Sequence, residues 1–100
     1  MYDVSYSGRV IDLLRELIAR NPAHAARILA AVRDIDHRLR IYPQFGQPLR
    51  DLSLPRATLW IGSVAPLVVH YVLVEADDAG QGRQVIVVRP FTPFAHSGIV

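Results

Sequence analysis

The chain has 100 residues, of which 51% are hydrophobic and 20% are charged. This length supports one hydrophobic core, and this composition excludes a disordered chain, so we expect a single domain over residues 1–100. The absence of cysteine excludes disulfides and thiolate metal sites. No apolar run approaches the ~18–20 residues of a membrane span, and residues 1–4 lack the pattern of a secretory signal. We therefore expect a cytoplasmic protein that does not contact membranes.

The basic residues are all arginine. The formal net charge is +2 at pH 7, and the 11 basic side chains include no lysine. Two explanations are open. A genome rich in G and C favours arginine codons, whereas a phosphate-binding protein favours the guanidinium group, whose planar fork matches phosphate oxygens. The composition is compatible with both.

The first residues predict a short strand followed by a helix. Tyr2, Val4 and Tyr6 alternate with polar residues, which is the pattern of a strand. Ser7 then offers the hydroxyl of a helix N-cap. Beyond Ser7, apolar residues recur at intervals of three and four, which indicates a helix with one apolar face. The apolar face comprises Val10, Leu13, Leu14, Leu17 and Ile18.

A second helix is predicted from Asn21 to about Tyr42. Asn21 suits the N-cap, and Pro22 suits the first helical position, where a missing N–H costs nothing. The apolar residues with helical spacing are Ile28, Val32, Ile35, Leu39 and Tyr42. Pro43 ends the helix. Two helices joined this tightly run antiparallel, and each has one apolar stripe, so the pair should lie together on a sheet.

Residues 43–56 are predicted to form a structured connection, because proline and glycine recur along them. Three apolar side chains are available to pin this connection to the core: Phe45, Leu49 and Leu52. A short strand is predicted next, at residues 58–61. A glycine and a serine follow it and should end it.

Residues 66–75 predict the central strand of the sheet. Both alternating faces of this stretch are apolar apart from His70, so we expect the strand to be covered on both sides. A polar loop at 76–82 leads to a last strand at 84–91. Three sequential strands with short connections form an antiparallel meander, and the first strand should join an edge of the sheet. The predicted fold is α+β in the order β-α-α-β-β-β, with an antiparallel helical hairpin packed on a mainly antiparallel sheet.

This order of elements resembles the RelE/ParE toxin superfamily of bacterial type II toxin–antitoxin systems, which includes plasmid stabilisation proteins. The resemblance covers nearly the whole chain. Three stretches carry it: Val-Ser-Tyr-Ser at 4–7, Leu-Arg-Ile-Tyr-Pro-Gln-Phe-Gly-Gln-Pro-Leu at 39–49, and Val-Val-His-Tyr-Val-Leu at 68–73. Their order and spacing together support the resemblance more than any one of them does.

The resemblance implies one of two activities. Relatives similar to RelE cleave messenger RNA in the ribosomal A site, using basic side chains and a C-terminal Tyr or His. Relatives similar to ParE keep the fold but poison DNA gyrase without being nucleases. In both kinds, the resemblance implies a cognate antitoxin protein whose C-terminal segment wraps the toxin.

RNA cleavage by the 2′-hydroxyl needs a base, a group that stabilises the charged phosphorane, and an acid. The candidates for RNA binding are Arg50, Arg56 and Arg89, and those for catalysis are Arg89, His96 and Arg56. His96 lies where the family's C-terminal Tyr or His tends to fall. Two alternatives are open: Arg89 forms an ordinary ion pair, for instance with Glu75, and His96 is a solvated residue of the tail.

His70 is interpreted as an ordinary residue of the central strand. The four histidines include no pair at i and i+4, and no Gly-rich phosphate loop is present, so we expect neither a metal nor a cofactor.

Val68 marks a departure from the family pattern. Relatives usually carry an arginine three residues before the central-strand tyrosine, which is Tyr71 here. The sequence therefore predicts a toxin that is a RelE-like mRNA endonuclease or a degenerate relative of one. The alternative is a ParE-like gyrase inhibitor, or a module that binds its antitoxin without nuclease activity.

Overall fold

The computed structural model describes residues 1–52, 56–75 and 83–93. The elements are β1 (Asp3–Tyr6), α1 (Gly8–Arg20), α2 (Ala25–Ile41), β2 (Gln47–Asp51), β3 (Ala57–Val64), β4 (Leu67–Val74), β5 (Gln84–Val87) and β6 (Thr92–Pro93). The predicted α+β arrangement of an N-terminal strand, a helix pair and a mainly antiparallel sheet is confirmed. No helix in the described part of the chain is long and apolar enough to cross a membrane.

The sheet has the strand order β1-β5-β4-β3-β2, and β6 pairs with one end of β4. β3, β4 and β5 form the predicted antiparallel meander. β1 joins the edge beside β5 and runs parallel to it, with Asp3 opposite Gln84 and Tyr6 opposite Val87. β1 therefore pairs with a strand that comes late in the sequence. The sequence alone predicts that β1 joins an edge of the sheet but not which strand lies beside it.

The helices begin and end close to their predicted limits, with one correction. The Ser7 hydroxyl caps α1 by accepting a hydrogen bond from the Val10 amide at 3.2 Å. Asn21 was predicted to cap the second helix, but that helix begins at Ala25 after a 3₁₀ turn at Pro22–His24. The Asn21 side chain instead donates to the Leu17 carbonyl at 2.8 Å, because the last carbonyls of α1 need partners.

Three strands differ from their predicted limits. β2 lies inside the predicted connection. It is an exposed edge strand held by backbone hydrogen bonds to β3, so its sequence lacks the apolar alternation by which a strand is predicted. β3 continues through Gly62 to Val64. β5 was predicted to reach Phe91, but it ends at Val87, shortly before Pro90, which has no N–H to continue the ladder.

The core lies between the helix pair and one face of the sheet. Its fully buried members include Ile28, Ile35 and Leu39 from α2, and Leu67, Val69 and Tyr71 from β4. Of the predicted stripe of α1, Val10 is buried and the rest is half-buried. Tyr42, predicted in the stripe of α2, is 60% exposed, because it follows the last helical residue and leaves the helix face.

Helices cover β4 on one face only. Its alternate residues Val68, His70, Val72 and Val74 are half-buried, and no described element packs over them. Within the described residues the central strand is therefore covered on one face, whereas the sequence predicts cover on both. The alternation in burial is that of a strand with one solvated face, although the sequence of that face is almost entirely apolar.

Tyr71 connects the segment after α2 to the middle of the sheet. Its hydroxyl donates a hydrogen bond to the Pro43 carbonyl, and its ring lies between those of Phe45 (centroids 6.0 Å apart) and Trp60 (6.4 Å). The Phe45 ring also lies against β3, where a Cβ on Gly62 would meet its Cζ atom at 2.7 Å. Phe45 thus pins this segment as predicted.

Of the other two side chains predicted to pin the connection, Leu49 is 51% exposed, because it lies at an irregularity of the β2–β3 pairing, and Leu52 is half-buried.

Candidate functional site

An apolar groove with a volume of about 460 Å³ lies beside the helical hairpin. Its lining comprises Tyr6, Val10, Ile11, Leu14, Val32, Arg33, Asp36 and Phe91. We call this cavity the hairpin groove. Its apolar residues come from the stripe of α1, the facing side of α2 and the stacked rings of Tyr6 and Phe91, whose centroids are 6.2 Å apart. The groove is therefore a concave apolar surface with a charged rim.

A hydrogen-bonded group fixes one wall of the hairpin groove. The Tyr6 hydroxyl donates to Oδ1 of Asp36 at 2.7 Å, and the Arg40 Nε donates to Oδ2 of Asp36 at 2.9 Å. Burial raises the pKa of Asp36, but the hydrogen bonds from Arg40 and Tyr6 outweigh it, so the pKa lies below its ordinary value. Burial and the hydrogen bond to Asp36 raise the pKa of Tyr6. At neutral pH the Asp36 carboxylate is therefore ionised and the Tyr6 hydroxyl is protonated, as their hydrogen bond requires.

We expect Asp36→Asn to lower the free energy of unfolding by about 1 kcal/mol at pH 7, since two charge-assisted hydrogen bonds at a half-exposed site weaken. A group with a depressed pKa stabilises the fold above its unfolded pKa, and this contribution is lost as the pH falls through the folded value. The difference between wild type and variant should therefore shrink below about pH 4. Urea unfolding at several pH values measures it.

Asp34→Asn is the matched control, because Asp34 pairs with Arg38 within the same helix and forms no hydrogen bond to β1 in the described part of the chain. Its cost should stay below about 0.5 kcal/mol. An equal cost for both variants would contradict the role given to Asp36.

A second surface is the face of the sheet that the helices leave uncovered. We call it the open sheet face. Its outward apolar side chains are Leu59 and Ile61 on β3, Val68, Val72 and Val74 on β4, and Ile86 on β5, with Val88 just beyond. Most of these side chains are half-buried, and Ile86 and Val88 are 37% and 45% exposed. The polar outward residues include Ser63 and His70.

His70 lies in the middle of the open sheet face, between Ile61 on β3 and Val88. Its Nδ1 atom is buried and has no hydrogen-bond partner in the described part of the chain. Burial lowers the pKa of His70, and the positive charge of Arg89 lowers it further. The imidazole is therefore neutral at pH 7 and stands beside an arginine.

The three predicted arginines do not converge. Arg56 precedes β3, in the left-handed conformation (φ 59°), and its carbonyl accepts from the Glu75 amide at 3.0 Å. Arg89 follows Val88, whose amide donates to the His70 carbonyl at 3.1 Å. From His70 to Glu75 the chain extends roughly 17 Å at about 3.4 Å per residue, and this distance separates Arg56 from the region of Arg89.

Arg50 lies on β2, at the far edge of the open sheet face, with β3 and β4 between it and β5. At about 4.8 Å per strand it is roughly 14 Å from the line of β5. His96 lies outside the described residues. The structure therefore brings Arg89 to His70, which the sequence interpretation had treated as an ordinary strand residue. One signal was available: His70 is the single polar residue in the outward set of β4.

Arg89 is exposed and forms no ion pair with the described residues, so the interpretation as a partner of Glu75 does not apply. Glu75 instead accepts a hydrogen bond from the Tyr2 hydroxyl at 3.3 Å. Over residues 1–52, 56–75 and 83–93, no three His, Asp or Glu side chains are placed to hold a metal ion.

A scan against protein-family models and searches of curated proteins and of solved structures each found no match to this chain.

Proposed function

We propose that the chain is the toxin component of a bacterial type II toxin–antitoxin pair similar to RelE/ParE proteins, and that it acts by binding other proteins. The order of its elements supports this proposal, because a strand, a helical hairpin and a three-stranded meander form the arrangement that the resemblance implies. The partners are then a cognate antitoxin and a protein target such as DNA gyrase.

The hairpin groove is the observation that carries the proposal. An apolar groove with a charged rim suits an amphipathic segment, which inserts apolar anchors and leaves its polar face in water. Ile11, at 40% exposure, offers apolar area that a partner can bury. At the rim, Arg33 forms no ion pair with any described residue, so its guanidinium is available to an acidic side chain of the antitoxin.

The positions of the arginines favour binding over RNA cleavage. A scissile phosphate needs its charge stabilisers, base and acid within hydrogen-bond reach of one another. By the strand rise, the backbone positions of Arg56 and Arg89 are roughly 17 Å apart along β4. Both guanidinium groups therefore reach one phosphate only if the two side chains extend fully toward each other. Val68, at the position where relatives usually carry an arginine, adds no positive charge to this strand.

We expect Ile11→Glu to weaken binding of the antitoxin by about 10- to 100-fold, because a carboxylate buried against an apolar partner loses its water without gaining a counter-ion. The antitoxin to use is the protein encoded by the neighbouring reading frame. Calorimetric titration of the purified chain measures the affinity. Growth of an expressing strain, with and without the antitoxin, measures toxicity and its relief.

Leu29→Glu is the matched control. Leu29 lies on α2 with the same 40% exposure but outside the hairpin groove, so the substitution introduces the same charge elsewhere. Affinity within about threefold of the wild type is expected for this variant. Equal loss of affinity in both variants would show that the hairpin groove is not part of the binding site. If expression leaves growth unaffected and the neighbouring protein does not bind, the toxin assignment fails.

Cleavage of messenger RNA is the second candidate, and one observation favours it. The neutral imidazole of His70 stands beside the positive charge of Arg89, and a base next to a guanidinium supplies two of the three groups that the reaction needs. A cell-free translation assay of the wild type and of His70→Ala, Arg89→Ala and His96→Ala separates the candidates. Intact ribosome-bound message in the wild-type reaction eliminates this one.

A further inference from the structure

The open sheet face is too apolar to be an ordinary solvated surface. The outward residues of a solvated sheet face are usually polar, but here five of the eight outward positions on β3 and β4 carry large apolar side chains: Leu59, Ile61, Val68, Val72 and Val74. Ile86 extends the patch onto β5. A contiguous, partly exposed apolar surface of this kind is typical of an interface.

The charges on this face identify its partner. At the outward positions of β1 to β5, two residues are charged: Asp3 on β1 and Arg50 on β2. They have opposite signs and lie on the two opposite edges of the sheet. A partner segment of uniform charge is attracted at one edge and repelled at the other. A partner surface with a positive charge opposite Asp3 and a negative charge opposite Arg50 is attracted at both edges.

We propose that the open sheet face is the interface of a symmetric dimer of this chain. A two-fold axis parallel to the strands and passing over β4 places the β2 edge of each copy over the β1 edge of its partner. Arg50 then lies opposite Ser5 and two residues from Asp3, about 7 Å along the strand, which an arginine side chain spans. Because of the two-fold symmetry, this pair of Arg50 and Asp3 forms twice, once at each edge of the dimer.

The other possible two-fold axis, perpendicular to the strands, is disfavoured by the same charges. It places the β2 edges of the two copies together, and both Arg50 side chains then occupy one edge. The parallel axis instead separates the two Arg50 side chains and brings each of them near an Asp3 of the partner copy.

The size of the face sets the strength of the dimer. β1 to β5 contain 29 residues, and each occupies about 16 Å² of a sheet plane, so the face covers roughly 470 Å². Two such faces bury on the order of 1,000 Å², which is the lower limit for specific interfaces. We therefore expect a dissociation constant in the micromolar range or weaker. This inference uses a different surface from the hairpin groove and stands without the proposed function.

Sedimentation equilibrium of the full chain, from about 5 to 500 µM at low salt, tests the proposal. The wild type should change from monomer to dimer over this range. Asp3→Arg and Arg50→Asp should each weaken the dimer by about tenfold, because each places like charges at both edges. The double variant Asp3→Arg with Arg50→Asp restores opposite signs and should return the dissociation constant to within about threefold of the wild type.

The matched controls carry the same charge changes on the helical side of the molecule. Asp12→Arg and Arg27→Asp lie on α1 and α2, both are exposed, and neither should change the dissociation constant by more than about twofold. Circular dichroism melting checks that each variant is folded. Binding of a hydrophobic dye should fall as the wild-type concentration rises, because dimerisation buries the apolar patch.

Three results would overturn the proposal. One is a monomer at every concentration, including a monomer that binds no dye because other residues of the chain cover the face. Another is a dimer whose dissociation constant responds equally to the sheet and helix variants, or is not restored in the double variant. The third is a monomer in which the neighbouring protein protects Val72 and Ile86 from hydrogen exchange, since that result assigns the face to a different partner.

Discussion

Replacing Tyr71 with alanine is expected to lower the free energy of unfolding by about 3–5 kcal/mol, the range for deletion of a buried aromatic ring. The Tyr71 side chain is fully buried, and its ring lies between those of Phe45 and Trp60. Without it, both neighbours face a cavity and the Pro43 carbonyl loses its donor. For a chain of this size the melting temperature should fall by roughly 15–30 °C. Thermal and urea unfolding measure both quantities.

Tyr71→Phe isolates the hydroxyl. It should cost about 1–3 kcal/mol, because the ring still fills the core but the buried Pro43 carbonyl has no donor. Tyr42→Phe is the matched control: Tyr42 is 60% exposed, and its change should stay within about 0.5 kcal/mol. Equal costs at both positions would show that the Tyr71 hydrogen bond contributes nothing to stability.

The pH dependence of Tyr71 gives a second measurement. Burial raises the pKa of Tyr71 above its ordinary value of 10.0. A raised pKa contributes stability that is fully present below the unfolded pKa and is lost as the pH rises toward the folded value. The wild type should therefore lose stability above about pH 10, and Tyr71→Phe should lose less over the same interval. If the free energy of unfolding falls equally with rising pH in the wild type and in Tyr71→Phe, this assignment is contradicted.

Gly46→Ala is expected to cost roughly 3 kcal/mol, because there is no space for a methyl group. A Cβ on Gly46 would collide with the Ile61 carbonyl oxygen and would lie 2.7 Å from the Tyr71 hydroxyl. Ile61 belongs to β3, which β2 and β4 hold on both sides, so its carbonyl cannot move away without breaking the sheet. Denaturant unfolding measures the loss.

Gly8→Ala is the matched control for the glycine substitution. No atom lies within 4 Å of a Cβ built on Gly8, which is the first residue of α1, so alanine should be neutral or stabilise by up to about 1 kcal/mol. Combining Gly46→Ala with Tyr71→Phe removes one of the colliding atoms. The double variant should cost less than the two single costs together by more than about 0.5 kcal/mol. Strict additivity would mean that Gly46 and Tyr71 do not compete for this space.

Local chemistry made much of the fold predictable from the sequence. Ser7 sets the start of α1 through its own hydroxyl, and the apolar residues of α2 have the spacing that the core requires. β2 was missed because its five residues are all exposed and carry no alternation. The pairing of β1 with β5 depends on the order of strands across the sheet, which no local pattern records.

The candidate sites were less predictable, because they depend on which residues become neighbours in space. The approach of Arg89 to His70 was not predictable, because it depends on where β5 ends. The double apolar alternation of β4 predicts cover on both faces. Among the described residues, one face lies in the core and no element packs over the other, and sequence periodicity does not distinguish these two arrangements.

The parallel pair of β1 and β5 has a consequence for the order of events during synthesis. Asp3 to Tyr6 leave the ribosome first, yet their partners Gln84 to Val87 are made only after both helices and most of the sheet. The entropy of closing so long a loop grows only logarithmically with its length, but contacts of this kind slow folding. The strand that is synthesised first is therefore among the last to find its neighbour.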